Sequence, residues 1–206
     1  DNNYFYFILI LFIYILFSCG VINFINFMDG IDGLVASNMI IIFSIITIKS
    51  DLNLLPIIGA LIGFVFLNWF PSKIFMGDSG SLFLGSFLTS IIYSSDNLIY
   101  TIKIILLASP LLLDSFICII RRFINKQNIF TSHKLHLYQR LVSSGINHSL
   151  VTLIYFFSIV FLAIFFKFTN LAYLFIASLI IIVLGVLLDK NYATNFHELQ
   201  INKQNK

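Results

Sequence analysis

The sequence predicts an all-α, polytopic transmembrane bundle, on three observations. It is 59% hydrophobic and only 10% charged, whereas a soluble domain is about 45–50% apolar and about 25% charged. The mean hydropathy is +0.99. The apolar residues gather into seven runs that reach or approach the roughly 20 residues a spanning helix needs. These are Tyr4–Ile22, Leu34–Ile48, Leu52–Trp69, Ser81–Ser94, Leu98–Ile120, Leu150–Phe166 and Leu171–Leu188. The second and fourth are short and require polar ends buried in protein. The expectation is a single integral membrane domain over residues 1–206. The net charge of +3 does not suggest nucleic acid. Cys19 and Cys118 lie inside apolar runs, so neither a disulfide nor a cysteine-based metal site is expected.

Pro56 and Pro110 are expected to kink their spans. Gly59 and Gly63 form a GxxxG pair suited to close helix packing. Lys and Arg in the connections set the orientation. Lys73, Arg121, Arg122, Lys126, Lys134, Arg140, Lys190, Lys203 and Lys206 fall on one side, against Lys49, Lys103 and Lys167 on the other. The richer side is expected to be cytoplasmic, with Asp1 outside. All the chemically suggestive polar stretches fall on that same side.

The first of these stretches is INFMDGIDGL, Ile25 to Leu34. Asp29 and Asp32 stand three apart, and Asn23 and Asn26 continue the row backwards at that spacing. Residues three apart share a helix face. Gly30 and Gly33 interrupt the helix and let backbone amides approach a ligand. Acids beside a span are costly and therefore functional suspects. The plain alternative is a polar turn in which an Asp caps a helix.

The second stretch is LNWFPSKIFMGDSGSLFLG, Leu67 to Gly85. Asp78 lies between Gly77 and Gly80, with Ser79 and Ser81 adjacent. A carboxylate in such a turn at a helix start suits Mg²⁺ and leaves room for phosphate oxygens. It is equally a plain helix cap. Three acids converging on one pocket would require a cation or protons between them. Asn68 could read a nucleobase edge or sit at the interface. Phe75 could stack on a base or anchor in the interface.

The third stretch follows Arg121 and Arg122. A helix over His133–Val142 would place His133, His136 and Arg140 on one polar stripe, with Leu135, Tyr138 and Val142 opposite. Imidazoles and a guanidinium suit a diphosphate or control of its protons; a solvated polar face is the alternative. Asp114, two helical turns before Arg121, either serves the site electrostatically or pairs with a nearby polar group. His148 and His197 fit no such pattern.

NFMDGIDGL, NWFPSKIFMGDSGSLFLG, PLLLDSF and HKLHLYQRL, in this order, resemble the polyprenyl-phosphate N-acetylhexosamine-1-phosphate transferase superfamily, glycosyltransferase family 4. The last stretch is closer to the branch that starts O-antigen and similar glycans than to the peptidoglycan translocase. The resemblance implies Asp78 as the ligand of Mg²⁺ (or Mn²⁺), and Asp29 and Asp32 as an acidic pair lining the nucleotide–metal pocket. It implies Asn26, Gly30, Ile31, Asn68 and Phe75 in substrate and uridine binding. His133 and His136 would lie near the diphosphate and sugar, with Arg140 ordering it. The implied partners are a UDP-N-acetylhexosamine, undecaprenyl phosphate and membrane lipid, with a homodimer allowed and no nucleic acid. The implied place is the cell inner (cytoplasmic) membrane, with the site facing the cytoplasm.

One departure stands out. Family members carry an Asp-Asp pair upstream of the first motif, and no such dipeptide occurs here. The first residue is Asp1, and the first run lacks the basic flank and cleavage site of a signal peptide. The expectation is a C-terminal portion of such an enzyme, impaired or inactive alone. The rival expectations are a remnant that only binds nucleotide or lipid, and a transporter. The latter would place acids at the bilayer midplane within an inverted repeat.

Overall fold

The computed structural model describes residues 2–196 except Phe130, Ser132 and Thr169, with side chains from Tyr4 onward. Asp1, His197, Lys203 and Lys206, used above, lie outside the described residues. Nine helices and no strand occur among those described: α1 Asn2–Phe27, α2 Leu34–Lys49, α3 Leu55–Asn68, α4 Gly77–Tyr93, α5 Leu98–Leu107, α6 Ser109–Ile124, α7 Leu137–Ser143, α8 His148–Phe166 and α9 Leu171–Asn191. Every expected apolar run is helical, and the fold is that of a polytopic helical membrane protein.

The number of full spans is a correction. Three described helices, α1, α8 and α9, are long and apolar enough to cross a bilayer, or four if the bent pair α5–α6 counts as one. Helices α2 and α3 are apolar but shorter. The first turns of α4 consist of Gly77, Asp78, Ser79, Gly80 and Ser81, which lowers its hydropathy. The expected fifth run breaks at Ala108 with a bend of 73°. The expected kink of this span is thus present, two residues before Pro110, which opens α6 near its N-terminus. Pro56 likewise sits at the start of α3. A first-turn proline costs no intrahelical hydrogen bond, so neither residue distorts the helix it occupies.

Packing follows the small residues. Helix α1 lies on α4 and α6, α2 lies between α3 and α8, and α8 packs on α9. Gly85 lets α4 approach α1 closely: a Cβ there would meet the Ile22 backbone at 2.8 Å. The expected GxxxG contact does not form among the described residues, because nothing lies within 4 Å of a Cβ at Gly59 or Gly63. The interior is built from residues such as Ile25, Met28, Leu34, Met39, Phe43, Leu88, Leu107 and Leu162, all fully buried. The outward faces of α1 and α9 are almost wholly apolar and exposed, as lipid contact demands.

Candidate active site

The α1–α4 contact determines where the first two polar stretches meet. Asn26, in the last turn of α1, donates through Nδ2 to Asp78 Oδ1 (3.1 Å) and to Ser81 Oγ (2.9 Å) in the first turns of α4. Asp29 follows one turn later, half-buried, close enough to feel the Asp78 charge. Burial first, and then Asp78, push the Asp29 carboxyl up to about 6. Asp78 itself is exposed. Two carboxylates thus face a common space at one end of the bundle, and the Asn26 amide holds one of them, Asp78, against Ser81.

Asp32 is tied to the neighbouring loop. Its two carboxylate oxygens accept from Ser72 N (3.1 Å) and Ser72 Oγ (3.0 Å) in the α3–α4 loop. Its carbonyl accepts from Thr152 Oγ1 on α8 (2.9 Å). Asn68 fastens the same loop: Gly33 N donates to its Oδ1 (3.0 Å) and its Nδ2 donates to the Ile74 carbonyl (2.8 Å). With 5% exposure, Asn68 has both polar atoms committed inside the protein. Gly33 has φ 74° and faces the Trp69 ring, so a side chain is excluded on both counts. The clamp leaves Phe75 78% exposed at the rim.

The histidine stretch docks on the first motif differently from the expectation. The expected helix over His133–Val142 begins only at Leu137, with His136 as its N-cap at φ −60°, ψ 150° and Gln139 completing a capping box. His133 therefore precedes the helix, and the expected polar stripe does not exist. Arg140 points inward at 3% exposure. It donates to the Leu135 carbonyl (3.2 Å), the Thr194 carbonyl (3.0 Å) and Asp189 at the end of α9. Arg121 also pairs with Asp189. An acid at the end of a span offers the guanidinium a stronger partner than water does, and that draws Arg140 into the protein.

Asp114 resolves to the second of its two readings. It accepts from Leu137 N (2.7 Å), Tyr138 N (3.2 Å) and Tyr155 Oη (2.6 Å), and so holds the free amides at the start of α7. Tyr138 in turn donates to the Phe27 carbonyl (2.9 Å). His136 is buried beside Phe27, ring centroids 5.9 Å apart. Burial, and then the Arg122 charge, bring its pKa down to about 4, so it is a neutral imidazole at pH 7. Arg122 organises the preceding loop by donating to the Ile129 (3.0 Å) and Thr131 (3.1 Å) carbonyls and to Asn128. His148 stacks at an angle against Phe70, centroids 5.1 Å apart.

Two measurable consequences follow from this geometry. A Cβ at Gly30 would lie 2.0 Å from Tyr138 Oη. Gly30→Ala is expected to displace the buried hydroxyl and cost about 1–3 kcal/mol. Adding Tyr138→Phe is expected to recover part of that loss in a denaturation-based double-mutant cycle; strict additivity would disprove the contact. The second consequence concerns pH. Asp29 binds its proton more tightly in the fold than its ordinary value of 3.8 implies. In metal-free protein its contribution to stability is therefore full below pH 3.8 and is lost as pH rises through about 6. Asp29→Asn in EDTA is expected to raise the thermal midpoint above that range and to flatten its pH dependence within it. Identical profiles for the two proteins would contradict the assignment.

A helical bundle of the membrane, with its acids, amides and an imidazole collected at one end, defines a polytopic membrane protein with a one-faced polar site. The model of the family described as glycosyl transferase family 4 matches residues 2–96. That match takes in the first two polar stretches, whose motifs resemble the same family. It is 39% identical over 153 residues to the probable undecaprenyl-phosphate N-acetylglucosaminyl 1-phosphate transferase of Bacillus subtilis (strain 168), covering 68% of this chain and 42% of that protein. It is 32% identical over 168 residues to the decaprenyl-phosphate N-acetylglucosaminephosphotransferase of Mycobacterium leprae (strain TN), covering 66% and 42%. With the phospho-N-acetylmuramoyl-pentapeptide-transferase of Oceanobacillus iheyensis it shares 36% over 100 residues, 44% of this chain and 29% of that one. The aligned part thus spans less than half the length of these relatives.

Proposed function

We propose that this chain carries the nucleotide-sugar and metal side of an enzyme that moves a sugar 1-phosphate from a UDP-N-acetylhexosamine to undecaprenyl phosphate. The reaction would occur at the cytoplasmic face of the inner membrane, the side favoured by the nine-to-three split of basic residues. A phosphate oxygen of the acceptor attacks the β-phosphorus of the donor. The bond from that phosphorus to the bridging oxygen breaks, UMP leaves, and a polyprenyl diphosphate sugar remains in the membrane, an initiating step of surface-glycan synthesis. The observation that carries the reading is the convergence of Asn26, Asp29 and Asp78 at one end of the bundle.

The donor set supports a hard divalent cation. Asp78 offers exposed carboxylate oxygen, and the raised Asp29 carboxyl is half of a like-charged pair that a cation would relieve. Asp78, with Asp29 beside it, would hold Mg²⁺ or Mn²⁺. When bound, the ion supplies charge neutralisation at the diphosphate oxygens. The chain's own residues do the positioning. Asn26 orients Asp78. Asp32 and Asn68 fasten the loop that presents Phe75, whose open ring suits stacking on uracil. Gly30 and Ile31, next to Asp29 in the chain, would line that space. His136, neutral at pH 7, suits proton acceptance rather than charge pairing with the diphosphate, and His133 stands beside it. Arg140 is a positioning residue that acts through α7. The apolar cavity of about 290 Å³ between α6, α7, α8 and α9, lined by Leu113, Ile117, Ile154, Ile181 and Leu184, suits part of a prenyl chain. We assign the grip on the acceptor phosphate to family segments that precede the first motif.

The test uses membranes containing the protein together with any N-terminal extension of its reading frame. They receive undecaprenyl phosphate, labelled UDP-GlcNAc and Mg²⁺ or EDTA. The expected result is labelled lipid and stoichiometric UMP, both absent in EDTA. Nucleotide binding with no UMP release under any metal would replace the transferase with a binding remnant. Lipid-linked sugar crossing the bilayer without UMP release would replace it with a transporter.

A further inference from the structure

The histidine stretch brings together a second donor set, of a different chemical character from the acidic one. Cys118 on α6 and His133 and His136 before α7 each offer a ligand atom, and the three atoms lie within 4.8 Å of one another. The expectation from sequence is no cysteine-based metal site, and the fold nonetheless brings one of the two cysteines beside two imidazoles. A thiol with two imidazoles is the donor set of a borderline-soft cation, whereas Mg²⁺ takes oxygen.

The donors are held by the fold. Cys118 is 3% exposed and packs against Leu135 and Phe196. His136 is 1% exposed, and its backbone N–H donates to Gln139 Oε1 (3.3 Å). The His133 and His136 rings lie 5.0 Å apart between centroids. In a tetrahedral zinc site, bonds of about 2.0–2.3 Å place the donors roughly 3.3–3.8 Å from one another. Closing the cluster therefore needs movements of about 1 Å, within reach of side-chain rotation on the non-helical segment that carries His133. A second feature points the same way. His136 Nδ1 lies 3.9 Å from Asp114 Oδ1 and makes no hydrogen bond of its own. A carboxylate behind one imidazole nitrogen is the usual means of aiming the other at a metal.

We propose that Cys118, His133 and His136 form a three-ligand site for a thiophilic divalent cation of the Zn²⁺ class, with its fourth position open. Binding converts the Cys118 thiol to a thiolate, its proton passes to solvent, and no electron is transferred. In the filled site His136 binds through Nε2 and keeps Nδ1 toward Asp114. The ion staples α6 to the segment entering α7. The site shares both imidazoles with the transferase reading, so while it is filled His136 cannot accept a proton through Nε2.

The test titrates the full chain, purified in detergent and stripped of metal, with Co²⁺ as a spectroscopic substitute for Zn²⁺. The expected result is a thiolate-to-cobalt charge-transfer band that saturates at one equivalent. Zn²⁺ removes it and a large excess of Mg²⁺ does not. Cys118→Ser is expected to abolish the band. His133→Ala, which alters no helix, is expected to weaken Co²⁺ binding at least tenfold even if the cysteine variant fails to fold. Asp78→Asn is expected to leave the band intact, which separates this site from the acidic one. No band in the wild-type chain, a band that survives Cys118→Ser through Cys19, or a band lost in Asp78→Asn would each overturn the proposal.

Discussion

Asp78→Asn is expected to lower sugar-phosphate transfer by about 10²–10³-fold, the scale on which one preorganised electrostatic group supports a transition state. Its thermal midpoint should stay close to that of the parent. The substitution keeps the size of the side chain and retains an oxygen to accept from Asn26 Nδ2, so the α1–α4 contact has no reason to open. Only the negative charge is removed. The loss should fall on turnover more than on KM for the UDP-sugar, because Phe75 and the loop clamped by Asn68 are untouched. A second readout comes from Asp29. With its charged neighbour gone, the Asp29 carboxyl should move down from about 6, though burial, the larger cause, keeps it above the ordinary value. Wild-type turnover in the variant would remove Asp78 from any metal role. An unmoved Asp29 would mean that the two carboxylates do not share a space.

Part of this site was legible in the chain and part was not, for physical reasons. Hydropathy sees lateral environment, so the apolar runs marked where helices form. It does not see length after capping, so it overcounted full spans where α3 starts late behind Pro56 and where α5 and α6 separate at Ala108. The acid spacing of the first motif was visible, but Asp29 lies in the turn beyond the end of α1 and not on a helical face. Asp32 was indistinguishable from Asp29 by pattern, because its partner is Ser72, forty residues away. The histidine stretch failed for a similar reason. Helical periodicity placed Arg140 on a wet stripe, but Asp189 at the end of α9 draws it inward across 49 residues. Asp189 does carry a signal in the chain, since an acid at the end of an apolar span is costly unless paired. Cys118 lies in an apolar run, and the run alone does not say which loop folds back over it.

The largest structural effect should come from Asp114→Ala. This carboxylate is almost enclosed and accepts three hydrogen bonds, from Leu137 N, Tyr138 N and Tyr155 Oη. Removing it strands three buried donors at once, and losing one partner of a buried charged cluster costs about 3–5 kcal/mol. The damage should be directional. With its N-terminal amides unheld, α7 loses its anchor. Tyr138 then loosens its grip on the Phe27 carbonyl, and the turn carrying Gly30 and Asp29 loses its cover. Transfer should therefore fall even below the melting transition, although Asp114 touches none of the acids that would hold the metal. Tyr155→Phe removes one donor and leaves the amide bonds in place, so it should cost only about 1 kcal/mol and spare turnover. Hydrogen exchange in detergent gives the deciding comparison. In Asp114→Ala the amides of Leu137 and Tyr138 should lose protection before those of α8. Uniform loss of protection would mean that Asp114 stabilises the bundle as a whole rather than latching α7 onto the site.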